Sequence, residues 1–363
     1  MKNNTFIIAE AGVNHNGSLE MALQLVDEAA RAGADAVKFQ TFKSEAVISQ
    51  FAAKAEYQKQ TTGDADSQLE MVKRLELDVV AHRRIYERCR EKGIQFLSTP
   101  FDSSSLKMLI EEFDLPVIKI PSGEITNAPF ILEIAATGKK LILSTGMSSL
   151  GEIEAALGII AFGALGITEK PSIEAFIRAF ESEDGQAILH ERVTLLHCTT
   201  EYPAPVGQIN LRAMQTMRQA FTLPVGYSDH TEGITIPVAA AALGACIIEK
   251  HFTLDRTLPG PDHLASLQPE ELAAMVKGIR AVESALGEST KTAVPAERAN
   301  RTVARRSLVA LRPIHRGEAF TVDNIGCKRP GDGLSPMRFW EMLGQEADRD
   351  YLPDQAIRAV GGR

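Results

Sequence analysis

The sequence predicts a (β/α)8 TIM barrel followed by a small β-rich module. Three observations carry that reading. Short β-prone apolar runs alternate with amphipathic helical stretches over roughly the first 285 residues. The repeat recurs eight times, and no Gly-rich dinucleotide fingerprint follows the first strand, which disfavours an open doubly wound sheet. The pattern then breaks at 288–303, where Glu288-Ser289-Thr290-Lys291-Thr292 and Glu297-Arg298-Ala299-Asn300-Arg301 read as a polar linker.

In chain order, strands are expected at 5–9, 35–39, 94–98, 116–120, 140–144, 192–197, 224–227 and 245–249. They are short apolar runs, as strands buried on both faces require. Helical patterns are expected near 18–32, 78–92, 103–113, 128–137, 149–163, 208–220, 233–243 and 269–286. Two inserts interrupt the repeat, at about 42–76 and 165–190. The first follows strand 2 directly, which places it on the catalytic face. Its Tyr57, Gln58, Thr61, Thr62, Gly63 and Asp64 are candidates for a substrate or oligomer contact. The domains are therefore read as a barrel over 1–287, a linker over 288–303 and a small domain over 304–363. In the last, Ser307-Leu308-Val309-Ala310 is a strand and Lys328-Arg329-Pro330-Gly331-Asp332-Gly333 a basic, turn-rich loop. A module of about 60 residues is marginal alone and is expected to pack on a barrel.

Composition narrows the function classes. The 363 residues are 44% hydrophobic and 24% charged, ordinary for a soluble globular protein. A net charge of -8 gives no global attraction for nucleic acid or anionic lipid, so an anionic ligand needs a local cluster. Cys89, Cys198, Cys246 and Cys327 are scattered and form no CxxC pair. Neither a disulfide framework nor a thiolate zinc site is indicated, and a reduced, cytoplasmic protein is expected. The first apolar run, Thr5 to Ala9, is too short for a signal peptide. No stretch approaches the roughly 20 apolar residues of a membrane span.

Chemistry in such a barrel sits at the strand carboxyl ends. Strand 7 leads into Gly226-Tyr227-Ser228-Asp229-His230 and strand 8 into Ile248-Glu249-Lys250-His251-Phe252. Neighbouring parallel strands lie about 4.8 Å apart, so His230 and His251 can reach one metal ion. A histidine at a strand end also reads as a hydrogen-bonded structural residue. The other ends supply Glu10, Lys38, Gln40, Lys119, Ser122, Gly123, Glu124, Ser144, Gly146, Thr200, Tyr202, Ser228 and, past strand 8, Asp262. Two lysines, four hydroxyls and two glycines suit a phosphate or phosphate-plus-carboxylate ligand. Glu10, Glu124 and Asp262 suit hydroxyl-rich partners or acid–base work. Lys38 or Lys119 could instead be a Schiff-base nucleophile, as in lysine-dependent aldolases. His15 lies in a turn, where a helix-entry role competes with a substrate role, and His197 reads mainly as orienting its neighbours. Cys198 and Cys246 read as small buried hydrophobes.

Long motifs in order resemble the sialic acid synthase family over nearly the whole chain. They are the run from Ile8 to Gly17, Val37-Lys38-Phe39-Gln40, Lys119 to Glu124, Ser144-Thr145-Gly146-Met147, Ser228-Asp229-His230, Glu249-Lys250-His251-Phe252, Gly260-Pro261-Asp262-His263 and Lys328-Arg329-Pro330-Gly331. The resemblance implies a (β/α)8 barrel with an antifreeze-like (SAF) domain, and a homodimer in which that domain swaps to close the partner's site. It implies condensation of phosphoenolpyruvate with the open-chain aldehyde of an N-acyl mannosamine-type sugar, plus water, releasing phosphate. With N-acetylmannosamine the product is N-acetylneuraminate. The alternative is N,N'-diacetyllegionaminate from 2,4-diacetamido-2,4,6-trideoxymannose, and the 57–72 loop is expected at the distal end of either sugar.

Residue by residue, the resemblance implies His230 and His251 as ligands of a divalent metal, Mn2+ first with Mg2+ or Co2+ as alternatives. It implies Lys38, Lys119, Ser122, Ser144 and Ser228 for phosphoenolpyruvate; Thr200 stands where some members have Asn. Glu10, Gln40, Tyr202 and Asp262 are implied at the sugar, with Arg329 reaching its N-acyl group across the dimer. Glu124 is implied as the proton-transfer group beside the reacting centre, with Lys38 and Glu10 as further catalytic residues.

Overall fold

Eight parallel strands form the first of two units in the computed structural model, which describes residues 4–54 and 66–358. They are β1 Phe6–Gly12, β2 Ala36–Thr41, β3 Gln95–Pro100, β4 Val117–Ile120, β5 Lys140–Ser144, β6 Val193–Cys198, β7 Val225–Asp229 and β8 Ile247–His251. All eight begin within two residues of the expected starts. Hydrogen-bonded neighbours run β3-β2-β1-β8-β7-β6-β5-β4, and β3 and β4 pack side by side to close the ring. No ladder joins that last pair among the described residues.

Helices follow the strands as in a (β/α)8 barrel: α1 Leu19–Ala32, α2 Ser44–Val47, α3 Gln68–Lys73, α4 Val79–Lys92, α5 Ser103–Glu111, α6 Ala128–Ala136, α7 Leu150–Ala164, α8 Ile173–Glu181, α9 Glu183–Arg192, α10 Ala213–Phe221, α11 Thr235–Ala242 and α12 Pro269–Leu286. Their ends follow local chemistry. Ser18 and Asp78 cap α1 and α4 by accepting from Met21 N and Ala81 N. Gly33 and Gly93 end the same helices in the left-handed region, at φ 81 and 69. No helix among the described residues is long and apolar enough to cross a membrane.

The main core fills the layer between strands and helices. A second, smaller core lies inside the ring, where Ile8, Ala36, Leu97, Ile142, Leu196 and Ile247 form an apolar floor. Side chains on a strand repeat every two residues. The next inward positions on the same six strands are Glu10, Lys38, Thr99, Ser144, Cys198 and Glu249. The polar site is thus one step above the floor.

Both inserts hold helices. The described part of 42–76 carries α2 and α3, packed on each other. The expected contacts Tyr57, Gln58, Thr61, Thr62, Gly63 and Asp64 lie outside the described residues. The 165–190 insert is α8 and α9, leading into the amino-terminal end of β6, away from the strand ends that carry the site. α8 packs tightly on α7, where a Cβ on Gly158 would stand 2.7 Å from the Phe176 carbonyl oxygen.

The second unit spans Glu288–Arg363. The stretch expected as a linker is not structureless. Pro295–Glu297 is a 3-10 turn and Arg298–Ala304 is helix α13, both exposed throughout. Beyond it, β9 Ser307–Ala310 and β10 Ile325–Lys328 pair antiparallel. Leu308, Ile314, Phe320, Ile325, Tyr351 and Ile357 are among the residues that close its own core.

Candidate active site

A cavity of about 350 Å3 opens at the carboxyl ends of the barrel strands. Of the residues expected there, Glu10, Lys38, Gln40, Lys119, Ser122, Ser144, Thr200, Tyr202, Ser228, His230, His251 and Asp262 all line it. Its base is a buried charge cluster. Lys38 Nζ stands 2.7 Å from Glu10 Oε2 and 3.5 Å from Glu249 Oε2, and donates to Thr99 Oγ1 at 3.0 Å. Lys119 Nζ donates to Glu249 Oε1 at 3.2 Å, and Ser228 Oγ to the same oxygen at 2.8 Å. Register explains the meeting, because Glu10 on β1 is level with Lys38 on β2 and with His251 on β8.

Burial sets the protonation of this cluster. Desolvation, reinforced by the Glu249 charge and opposed by Lys38, raises Glu10 from 4.5 to about 7. Glu249 is held well below the usual carboxylate range because the pull of Lys119, Lys38 and Ser228 outweighs its burial. Burial weakens the charge of Lys119, whereas the two carboxylates keep Lys38 firmly charged despite burial. When Glu10 takes a proton, two cations face one anion and the pocket base turns positive.

Hydroxyls complete an anion cradle beside the lysines. Ser144 Oγ and Thr200 Oγ1 are buried with no hydrogen-bond partner. Gly146 leaves the space beside Thr200 and Ser122 open, since a Cβ there would lie 2.2 Å from Thr200 Oγ1 and 2.9 Å from Ser122 Oγ. Ser122 Oγ accepts from Gly146 N at 2.9 Å and lies 3.1 Å from Cys198 Sγ. The Ser144 and Thr200 hydroxyls both line the cavity, where their protons can be aimed at a bound anion.

The histidine pair stands on the adjoining wall, with ring centroids 5.5 Å apart. His230 Nδ1–H donates to the Thr199 carbonyl at 2.6 Å, leaving Nε2 bare. His251 Nδ1 is buried without a hydrogen-bond partner and lies 3.7 Å from Asp262 Oδ2. Burial lowers both histidines, His251 the further because His230 is beside it, so both imidazoles are neutral at neutral pH. The Tyr202 ring lies 4.2 Å from that of His230 and edge-on to His251. No group of three or more His, Cys, Asp or Glu placed to hold a metal ion occurs among the described residues. The two neutral imidazoles on one wall, with His251 Nδ1 unpartnered, are a donor pair that a divalent ion would fit with its remaining positions open.

Two expected residues are elsewhere. Glu124 ends a one-turn 3-10 helix, Ser122–Glu124, that turns Ser122 into the cavity. Glu124 itself is not among the residues lining the cavity and accepts from Asn127 Nδ2 at 2.7 Å. Arg329 is exposed in the second unit, just after β10. Among the residues at the cavity base, Glu249, Thr99 and Cys198 were given no site role from sequence. Glu249 was legible, because it shares the inward face with His251 two residues on. Cys198 faces the cavity and is not a core hydrophobe alone. His197 Nε2 donates to the Ile209 carbonyl at 2.7 Å, and buried His15 accepts from Gly17 N at 3.0 Å; neither lines the cavity.

Away from the charges the cavity wall is mostly apolar, with Gln68 its polar member on the side formed after β2. Phe42, Val47, Ile48, Met71, Val72 and Leu75, all from the segment after β2, line that side.

Comparison with known proteins agrees with this layout. The NeuB family profile matches residues 25–291 and the SAF domain profile residues 305–361. An N,N'-diacetyllegionaminic acid synthase of Campylobacter jejuni is 49% identical over 98% of this chain and 99% of its own length. One of Legionella pneumophila is 44% identical over 93% of this chain and 89% of its own. The crystal structure of an N-acetylneuraminic acid (sialic acid) synthetase from Leptospira borgpetersenii in complex with citrate superposes with a TM-score of 0.65. It is 36% identical and covers 82% of this chain and 90% of that one.

Proposed function

This chain belongs to the NeuB family, and from that premise we propose that it is an N,N'-diacetyllegionaminate synthase. It would condense phosphoenolpyruvate with 2,4-diacetamido-2,4,6-trideoxymannose and water, releasing phosphate. Phosphoenolpyruvate-dependent condensation is the activity class of the family. Of the two sugars the sequence allowed, this order reverses the first expectation. The apolar wall carries the choice. The trideoxy sugar has a methyl at C6 and an acetamido methyl at C4, where N-acetylmannosamine has hydroxyls. Val47, Val72 and Leu75 match methyl groups and offer hydroxyls no partner. The two legionaminic acid synthases named above support the same reading.

The residues divide the work. Lys38 and Lys119 would neutralise the phosphate and carboxylate of phosphoenolpyruvate, and Ser122, Ser144, Thr200 and Ser228 would fix its orientation. Attack of its C3 on the sugar aldehyde leaves an alkoxide on the sugar and a cationic C2. Water adds at C2, and the tetrahedral intermediate expels phosphate by C–O cleavage. One proton must reach the alkoxide and one must leave the water. Glu10, poised at about 7, suits both transfers in turn. His230 and His251 would hold a divalent ion, Mn2+ by family resemblance, whose chemistry is to polarise the aldehyde carbonyl. Gln40, Tyr202 and Asp262 would hold sugar hydroxyls. Arg329 would reach the N-acyl group from the second unit of a partner chain in a swapped homodimer.

Phosphate release with each sugar tests the reading. A hydrophobic pocket discriminates such analogues by about 10- to 100-fold in kcat/KM. Equal or better turnover of N-acetylmannosamine would overturn the substrate. Trapping of a pyruvate adduct by borohydride would overturn the mechanism in favour of a Schiff-base aldolase.

A further inference from the structure

His230 and His251 face the cavity from adjacent strands. The residues immediately before them, Asp229 and Lys250, face the opposite way, into the layer between strands and helices. They are register partners across the β7–β8 ladder. Lys250 Nζ donates to Asp229 Oδ2 at 2.6 Å and also to the Thr231 carbonyl, and both charged side chains are 0% exposed. Asp229 Oδ1 accepts from the Tyr227 hydroxyl at 2.8 Å, from Thr231 Oγ1 at 3.0 Å and from Thr231 N at 3.2 Å. One ammonium group therefore ties together the residues on both sides of His230, and it belongs to the residue that precedes His251. The His230 carbonyl is itself fixed by Ala204 N at 2.8 Å.

An ion pair this deep is an odd choice for stability. The surrounding layer is apolar, with Tyr227, Ile248 and Phe252 in the same core. Taking two charges out of water is repaid only by good geometry and further hydrogen bonds, and apolar residues of similar volume often serve stability as well or better. What an ion pair supplies and apolar packing does not is direction. Each bond here has one register and one angle. A strand that slipped or twisted by a small angle would break the pair and splay the two imidazoles.

We propose that the buried Asp229–Lys250 pair is a positioning clamp that sets the mutual orientation of His230 and His251, and thereby the affinity of the ion they hold. The proposal rests on the metal reading above. Neither residue touches the cavity, so both act through the histidines.

The test uses Asp229→Asn/Lys250→Met in the full chain. The double change removes both charges, keeps side-chain volume and leaves Asn able to accept from Tyr227 and Thr231. Mn2+ binding is followed by the electron paramagnetic resonance of free Mn2+, with no turnover required. The dissociation constant is expected to rise about 10- to 100-fold, the usual cost of disturbing the groups behind a metal ligand. Metal-free phosphoenolpyruvate binding, held by lysines on other strands, is expected to change by no more than about threefold. Loss of both affinities in parallel would mark general damage and overturn the clamp. Tyr227→Phe, which removes one donor to Asp229, is expected to weaken Mn2+ by about 2- to 10-fold. It decides the matter should the double variant not fold, and unchanged Mn2+ affinity in it then overturns the clamp. Equal affinity in wild type and double variant also overturns the clamp alone. Wild-type protein that takes no Mn2+ overturns the metal site and the clamp with it.

Discussion

Replacing Lys38 by Met removes the cation wedged between two buried carboxylates, and its cost should grow with pH. In the wild type Glu10 is raised from 4.5 to about 7, which favours its protonated form in the fold by about 3 kcal/mol. That contribution is fully present below pH 4.5, is lost as pH rises through 7, and is level above. Lys38 is the main group holding Glu10 down against its burial. Without it the Glu10 carboxyl moves further up, and the variant goes on losing stability where the wild type has stopped. At pH 6 Glu10 is mostly protonated in both, and the variant lacks the Thr99 bond, the Glu249 contact and the bond to the Glu10 carboxyl, a cost of about 2–4 kcal/mol. Between pH 7 and 8 the gap should widen by about 1 kcal/mol. Urea unfolding at pH 6, 7 and 8 reads it. Circular dichroism is the right signal, because the single tryptophan, Trp340, lies in the second unit while most of the helix is in the barrel. A gap that stays constant or shrinks from pH 6 to 8 would refute the reasoning.

Other changes probe other walls of the cavity. Gly146→Ala puts a methyl 2.2 Å from Thr200 Oγ1 and displaces the cradle hydroxyls, so the KM for phosphoenolpyruvate should rise about 10-fold or more with little change in unfolding midpoint. An unchanged KM would remove Thr200 and Ser122 from the anion site. Val72→Thr keeps shape and adds a hydroxyl, so it should narrow the kcat/KM preference for the trideoxy sugar by about 3- to 10-fold. An unaltered ratio would acquit the apolar wall. Chains carrying Arg329→Ala and chains carrying Lys119→Met should each be inactive, and mixing them should restore up to about a quarter of the wild-type activity if small domains exchange between partners. No recovery in mixed dimers would rule out a shared site.

How much was legible follows from period. A buried parallel strand announces itself as a short apolar run, and a polar residue at its carboxyl end stands out against that run. That is why Lys38, Ser144, Ser228, His230 and His251 could be named before any coordinates. Glu124 shows the limit. It is two residues past the Ser122 that does face inward, but by then the chain has left the strand for a 3-10 turn, so the alternation no longer applies. Glu249 was overlooked for the opposite reason: it obeys the alternation and was overshadowed by His251. The apolar wall could not be read at all, because α2 and α3 are too short to leave a periodic signal and only their packing over the cavity gives Val47 and Met71 a role. The 288–303 stretch reads as linker by polarity, and α13 is polar because it is exposed throughout.

The missing ladder between β3 and β4 has a bearing on motion. Seven seams of the barrel are stitched by backbone ladders, and at this eighth the strands lie side by side with no ladder among the described residues. Thr99 on one bank and Lys119 on the other both belong to the charge cluster. Amide exchange with deuterium should therefore begin along this seam, well before the β7–β8 strands give way. An anion that bridges the two banks would act as the absent stitch, so that the empty enzyme breathes where the filled one is closed.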